Sequence, residues 1–190
     1  MSTPFADLAP TSDTPPALPP TDVSYVLEDT AVGRMLFVVR DDGRALATAY
    51  VPDTSSEDRW LQRVADAVSP RVLRRPADTD HVRQALEAYL DGRAREVAVE
   101  TDLVLATRFQ QDVLTRLAAT VGYGERTTYA GLAATLGRPR AARSVGTALG
   151  ANPLCVTLPC HRVLPAAGGV GGYAGGPEVK ERLLALESRH

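Results

Sequence analysis

At Thr107 the hydrophobic rhythm of the chain changes, and that change constrains the fold more than any single residue does. Before it, short apolar runs alternate with turn-forming residues; after it, apolar side chains recur at three- and four-residue spacing. Upstream, the apolar stretches Arg34–Arg40 and Arg44–Val51 flank Asp41-Asp42-Gly43, which is hairpin chemistry. Ser56–Val68 has helical spacing through Trp60, Leu61, Val64 and Val68, and Pro70–Pro76 reads as a short extended connection or strand. His81–Leu90 lines up Val82, Ala85, Leu86, Tyr89 and Leu90 on one helical stripe closed by Gly92. Arg95–Asp102 alternates Val97 and Val99 with polar neighbours, as a strand would. Residues 23–102 therefore read as a small α+β domain, a structural buttress without a recognisable site. Residues 1–22 hold six of the 14 prolines and read as a flexible extension.

Downstream, Thr107 and Gln110 fit a capping box ahead of the stripe Phe109, Val113, Leu114, Leu117 and Val121, which Gly122-Tyr123-Gly124 ends. Thr127 or Thr128 can cap a short helix through Leu136, and Gly137-Arg138-Pro139 forces a turn before a second short helix, Arg140–Gly150. Two short helices joined by a glycine turn are the pattern of a helix-turn-helix. The predicted fold class is thus α+β: a small N-terminal sheet-and-helix domain, then a mainly helical C-terminal domain over 103–190. On the second helix, Ala141, Val145, Ala148 and Leu149 can face the core, leaving Arg143, Gly146, Thr147 and Gly150 together on another face. Glycine in a helix costs about 1 kcal/mol relative to alanine, so two on one face suggest close approach of that backbone to a groove.

Charge divides the same way. The net charge of -2 combines 13 basic and 20 acidic side chains up to residue 125 with 8 basic and 3 acidic from residue 126 onward. No Asp or Glu occurs between Arg126 and Pro177, whereas Arg126, Arg138, Arg140, Arg143 and Arg162 all do. A polyanion is steered to the C-terminal part. No apolar run approaches the ~20 residues of a membrane helix, and no secretory signal opens the chain, so a cytoplasmic protein is expected. Cys155 and Cys160 are too few for a disulfide scaffold, and with His81, His161 and His190 they lack zinc-finger spacing, so no metal is expected.

Leu154–Leu158 reads as a strand leading into a Pro159-Cys160-His161 turn. Cys155, flanked by Leu and Val, fits an inert buried thiol. Cys160 precedes a histidine in arginine-rich surroundings that favour thiolate. Neighbouring residues of an extended chain point to opposite faces, so Cys160 and His161 need a turn or a bridging water to exchange a proton. His161 in turn needs a carboxylate to orient it. After residue 126 there are only Glu178, Glu181 and Glu187. Glu187, at the end of an apolar helix, can return to the core, while Glu178 and Glu181 fall in a solvated first turn.

Pro159-Cys160-His161-Arg162-Val163 resembles the active-site motif of the O6-alkylguanine-DNA alkyltransferases (methylated-DNA–protein-cysteine methyltransferases). The likeness runs from Phe109 to Glu187 and takes in Thr128-Tyr129, Arg140–Asn152-Pro153, Gly172-Tyr173-Ala174-Gly175-Gly176, Lys180 and Leu183–Glu187. The resemblance implies that Cys160 accepts an alkyl group in a suicide reaction, with His161 acting through water as its base, Glu187 orienting His161 and Asn152 bracing the turn. It implies that Tyr129 hydrogen-bonds the departing guanine, and that Tyr173, Val163 and the backbone at Ala174 line the pocket. Arg143 would replace a flipped nucleotide in the stack, with Gly146, Thr147, Thr128 and Arg140 also facing DNA. The implied partner is alkylated double-stranded DNA, bound by a monomer without a cofactor. Ala174 departs from the serine frequent in relatives, and residues 1–80 hold neither Cys nor His to match the zinc ligands that some of them carry. Three rivals are a damage sensor of the same fold, which lacks the acceptor thiol, a cysteine hydrolase using Cys160, His161 and Glu187, and a plain helix-turn-helix regulator.

Overall fold

The computed structural model describes residues 22–188. The expected proline-rich extension, apart from Asp22, and His190 lie outside the described residues. Val23–Thr30 (β1) and Gly33–Arg40 (β2) form an antiparallel pair, and Ala45–Tyr50 (β3) continues it across the Asp41-Asp42-Gly43 turn, where Gly43 adopts φ 84°. Thr54–Ala67 (α1) follows, capped by Asp53, whose carboxylate accepts from the Ser56 amide. Val72–Arg74 (β4) then adds parallel to β1, giving the order β3-β2-β1-β4. Asp80–Leu90 (α2) completes the N-terminal part.

Side chains alternate across a strand, and here each sheet face has a separate cover. Leu36, Val38 and Leu46 pack with Val64, Trp60 and Leu61 of α1. Met35, Phe37 and Val39 face the opposite way, into a core that holds Val82, Leu86 and Tyr89 of α2 and continues through Val113, Leu114, Val145, Cys160 and Leu183. The two halves thus share one core. Burial on both faces explains why β2 and β3 read as nearly unbroken apolar runs.

Arg95–Asp102 does not form the expected strand. A single bridge joins Thr101 to Ala45, and the Val99 amide donates back to Val97 O at 3.0 Å instead of to a neighbouring strand. The valine alternation reflects burial alone: Val97 is buried and Val99 half-buried. Leu154–Leu158 also differs from its expected strand. Leu154 bridges to Thr48, then the chain doubles back, with Val156 at φ 69° and the Leu158 amide donating to Leu154 O at 2.7 Å. A β-branched residue at positive φ is strained, and Asn152, described below, holds this tight loop closed.

The C-terminal part follows its sequence signals closely. Arg108–Thr120 (α3) begins in the Thr107–Gln110 capping box. Thr127–Thr128 (β5) leads into Tyr129–Thr135 (α4), capped by Thr128 rather than Thr127. Gly137 at φ 70° opens the turn to Ala142–Gly150 (α5). Val163–Leu164 (β6) pairs in parallel with β5, tying the segment after Cys160 to the start of α4. Pro177–Glu187 (α6) ends the described chain, with Pro177 in its first turn. Among the described residues no helix is long and apolar enough to cross a membrane.

Candidate functional site

Cys160 opens a 3-10 turn, Cys160–Arg162, and is 6% exposed. The loop behind it is clamped by buried Asn152, whose Nδ2 donates to Leu154 O (3.2 Å), Leu158 O (3.1 Å) and Cys160 Sγ (3.2 Å), while its Oδ1 accepts from the Leu154 amide. One amide thus holds the strained loop and stabilises negative charge on sulfur. The neighbouring Cys155 thiol, the Asn152 amide and the Lys180 ammonium draw the Cys160 thiol below its ordinary pKa, against the opposing effect of burial. Cys155 itself is pushed up and stays a thiol, its Sγ 3.5 Å from Asn152 O.

The positive charge at the thiol differs from the expected source. Arg162 is buried but turned away, bonding Glu187 and, through Nη1, Val121 O at 2.9 Å. The cation acting on Cys160 is Lys180, the only lysine in the sequence, 1% exposed, with Nζ donating to Val163 O at 2.7 Å.

His161 is fully buried. Its Nε2 lies 2.9 Å from Glu187 Oε1, and its Nδ1 has no hydrogen-bond partner among the described residues. With Nε2–H donating to the carboxylate, the lone pair resides on Nδ1; this tautomer follows from the network. Burial holds the imidazole below its ordinary pKa of 6.5, in spite of Glu187, so at neutral pH it is an uncharged base. Glu187 is 2% exposed and collects Tyr89 OH (2.6 Å), His161 Nε2 (2.9 Å) and Arg162 Nε (3.0 Å) on Oε1, with the Gly124 amide at 3.3 Å on Oε2. Burial alone would raise its pKa, but donation from His161, Arg162 and Tyr89 holds it down at about 2. Glu178 and Glu181 are exposed.

Around this centre stand the expected pocket residues. Half-buried Tyr129 is kept protonated by burial and by the charge of Cys160. Tyr173 meets His161 edge-on at 6.4 Å between ring centroids and places its OH 3.4 Å from Tyr50 OH. Ala174 is exposed beside it. Val163 is not brought to the pocket surface: its side chain is fully buried and its carbonyl serves Lys180. On the outer side Arg140, Arg143 and Thr147 are exposed, and Thr128 is half-buried at the α4 cap. Gly146 links the two sets, because a Cβ there would lie 3.6 Å from the Tyr129 ring. The α5 backbone therefore sits directly against the Tyr129 ring.

Sequence reasoning missed four residues. Lys180 carried a signal, as a lone lysine in an arginine-rich chain. Arg162 lay within the motif, but its bond to Glu187 needs the fold. Tyr89 and Tyr50 belong to the supposed buttress. Tyr89 reaches Glu187, and Tyr50 lies under Gly175, where a Cβ would fall 2.7 Å from its ring. Among the described residues no group of three or more His, Cys, Asp or Glu side chains could hold a metal ion.

The chain is similar to several known proteins. Residues 108–189 match the family described as 6-O-methylguanine DNA methyltransferase, DNA binding domain. A methylated-DNA--protein-cysteine methyltransferase of Mycolicibacterium paratuberculosis is 45% identical over 107 residues, covering 56% of this chain and 64% of that protein. The regulatory protein ada of Salmonella typhimurium is 36% identical over 171 residues, 88% of this chain and 46% of its own length. The matches thus span less than two thirds of these curated relatives. The crystal structure of Mycobacterium tuberculosis O6-methylguanine methyltransferase superposes with a TM-score of 0.75 at 33% identity, covering 88% of this chain and 93% of the other. A structure of Mycobacterium tuberculosis OGT in complex with DNA gives 0.73 at 32% identity, covering 87% and 93%. The fold, the Pro-Cys-His turn and the sequence together place the chain in the O6-alkylguanine-DNA alkyltransferase family.

Proposed function

We propose that this protein repairs DNA by moving an alkyl group from O6 of guanine onto Cys160 Sγ, once per molecule. The observation that carries the reading is the pairing of an acidified, amide-bonded thiol with a neutral histidine whose Nδ1 is free and whose Nε2 is anchored on a buried carboxylate. Nδ1 bonds none of the described residues, which leaves it able to take the Cys160 proton through a bridging water. The thiolate attacks the alkyl carbon in line; an S–C bond forms, the C–O6 bond breaks, and the electron pair leaves with guanine. Tyr129, held as a donor, stabilises the departing base by hydrogen bonding.

O6 lies on the major-groove edge of a stacked base, so the nucleotide must be extruded to reach a thiol that is only 6% exposed. The exposed face of α5 fits the groove, Gly146 lets its backbone approach, and Arg143 fills the gap left in the stack. Arg140, Thr147 and Thr128 add contacts to the strand, and Tyr173 and the Ala174 backbone hold the flipped base. The product is a thioether, which offers water no electrophilic carbonyl, so the reaction stops after one event. The partner is alkylated double-stranded DNA, met by a cytoplasmic monomer that uses no cofactor. The test is intact protein mass after exposure to duplex containing O6-methylguanine. One added methyl per chain, on Cys160, is expected; continued release of repaired DNA beyond one equivalent, or label on Cys155 alone, overturns the reading.

A further inference from the structure

The N-terminal part reaches the His161–Glu187 network through the last turn of α2. Tyr89 is 1% exposed, its ring packs edge-on against Tyr123 at 6.1 Å, and its hydroxyl lies 2.6 Å from Glu187 Oε1 and 3.2 Å from His161 Nε2. Arg162 also bonds Glu187, through Nε to both carboxylate oxygens. Two cationic or potentially cationic groups therefore compete for one carboxylate, and the phenol occupies the remaining approach to the oxygen that His161 uses. We propose that Tyr89 is a positioning residue of the alkyl-transfer site: by donating to Glu187 it fixes the carboxylate against His161 and limits its pull on the imidazole proton, leaving Nδ1 as the working base. This rests on the function proposed above.

The direction of the effect follows from hydrogen-bond chemistry. Burial and the adjacent Glu187 charge push the Tyr89 phenol far above its ordinary range, so it is always a donor. A carboxylate that already accepts from a phenol is a weaker acceptor for its next partner. Without the phenol, Glu187 draws harder on the imidazole N–H and stabilises imidazolium, raising the pKa of His161 and depleting the neutral base. The other groups facing His161 remain unchanged: Lys180 on α6, Arg162 in its own turn, Tyr173 in the pocket loop and Cys160 next to it.

The experiment uses the full chain in three forms: wild type, Tyr89→Phe and Leu86→Ala. Leu86 lies on the same helix, is 1% exposed and packs only in the core, so its variant loosens α2 without touching the network. Transfer from free O6-benzylguanine is followed against pH, and the His161 imidazole is titrated by NMR. In Tyr89→Phe the rate at neutral pH falls about tenfold, the scale of one hydrogen bond to a charged group. Its rising pH limb and the His161 titration both move to higher pH. Leu86→Ala lowers Tm but moves neither. A fluorinated tyrosine at position 89, a stronger donor of nearly the same shape, moves both to lower pH and serves equally if Tyr89→Phe does not fold. An unmoved His161 titration in the position-89 variants, or the same displacement in Leu86→Ala, overturns the proposal. If the wild type transfers no alkyl group, the function fails instead, and the His161 titration still decides the role of Tyr89.

Discussion

The cluster around Glu187 and the outer face of α5 handle charge in opposite ways. In the cluster, three ionisable side chains, Glu187, His161 and Arg162, are almost fully buried, and Glu187 meets donors from α2, the Cys160 turn and the start of the Gly124 loop. On α5, Arg143 is exposed and bonds no side chain among the described residues. A buried charge works through fixed geometry, and breaking one contact leaves its partners stranded in a dry interior. An exposed charge works by remaining available, and removing it costs the fold little. One chain thus holds a network of buried charge whose geometry is fixed and a face of exposed charge that remains available.

Variants can break or sharpen that contrast. The largest effect is expected from Cys160→Ser, which abolishes transfer yet leaves binding to alkylated duplex intact, measured by label transfer alongside a binding titration. Glu187→Gln comes next. It leaves Arg162 buried without its counter-charge, a loss of about 3 kcal/mol in denaturant unfolding, and leaves His161 poorly oriented. Its pH signature is specific. Because the Glu187 pKa is depressed to about 2, its contribution to stability is complete above its ordinary 4.5 and is lost as pH falls through about 2. In the glutamine variant the fall in stability across that window is correspondingly shallower.

On the other side of the contrast, Arg143→Ala slows repair of duplex strongly, because an unfilled gap leaves an unstacking cost of a few kcal/mol, while transfer from free benzylated guanine is unchanged. Arg140→Ala, by comparison, loses only a modest salt-sensitive affinity. Equal slowing of free base and duplex in Arg143→Ala would remove the flipping role and return Arg143 to the structural side. The smallest effect belongs to Cys155→Ser. Its hydroxyl can reuse the contact with Asn152 O, so stability falls by about 1 kcal/mol and Cys160 still reacts in a mass assay.

What the sequence revealed follows the range of the interactions. Capping boxes, glycine turns and helical stripes act within a few residues, so α3, α4 and α5 were legible almost to their ends. The Pro-Cys-His turn, Asn152 and Glu187 were legible through resemblance to a family in which they recur in order. Arg95–Asp102 misled because alternation reports burial, and an amide engaged by its own neighbour cannot join a sheet. The arginine-rich surroundings of Cys160 misled because sequence proximity says nothing of direction: Arg162 points at Glu187, and Lys180 arrives from another helix. Tyr89 gave no sign at all, as one apolar-stripe residue among five in α2, since the group it serves is 98 positions away.

That separation has a consequence for when the thiol becomes dangerous. Tyr89 and Glu187 are 98 residues apart, Thr48 and the Cys155 carbonyl it bonds are 107 apart, and Glu187 follows His161 by 26. Contacts of such span carry a large loop-closure cost and slow folding. During synthesis Cys160 emerges before Lys180 and Glu187, so the cation beside the thiol and the carboxylate that holds His161 are the last parts of the site to be made. The final helix brings both Glu187 and Lys180 to the site as it packs. Under the single-turnover function proposed above, tying reactivity to completion of the whole fold would keep half-made copies from being used up on stray electrophiles.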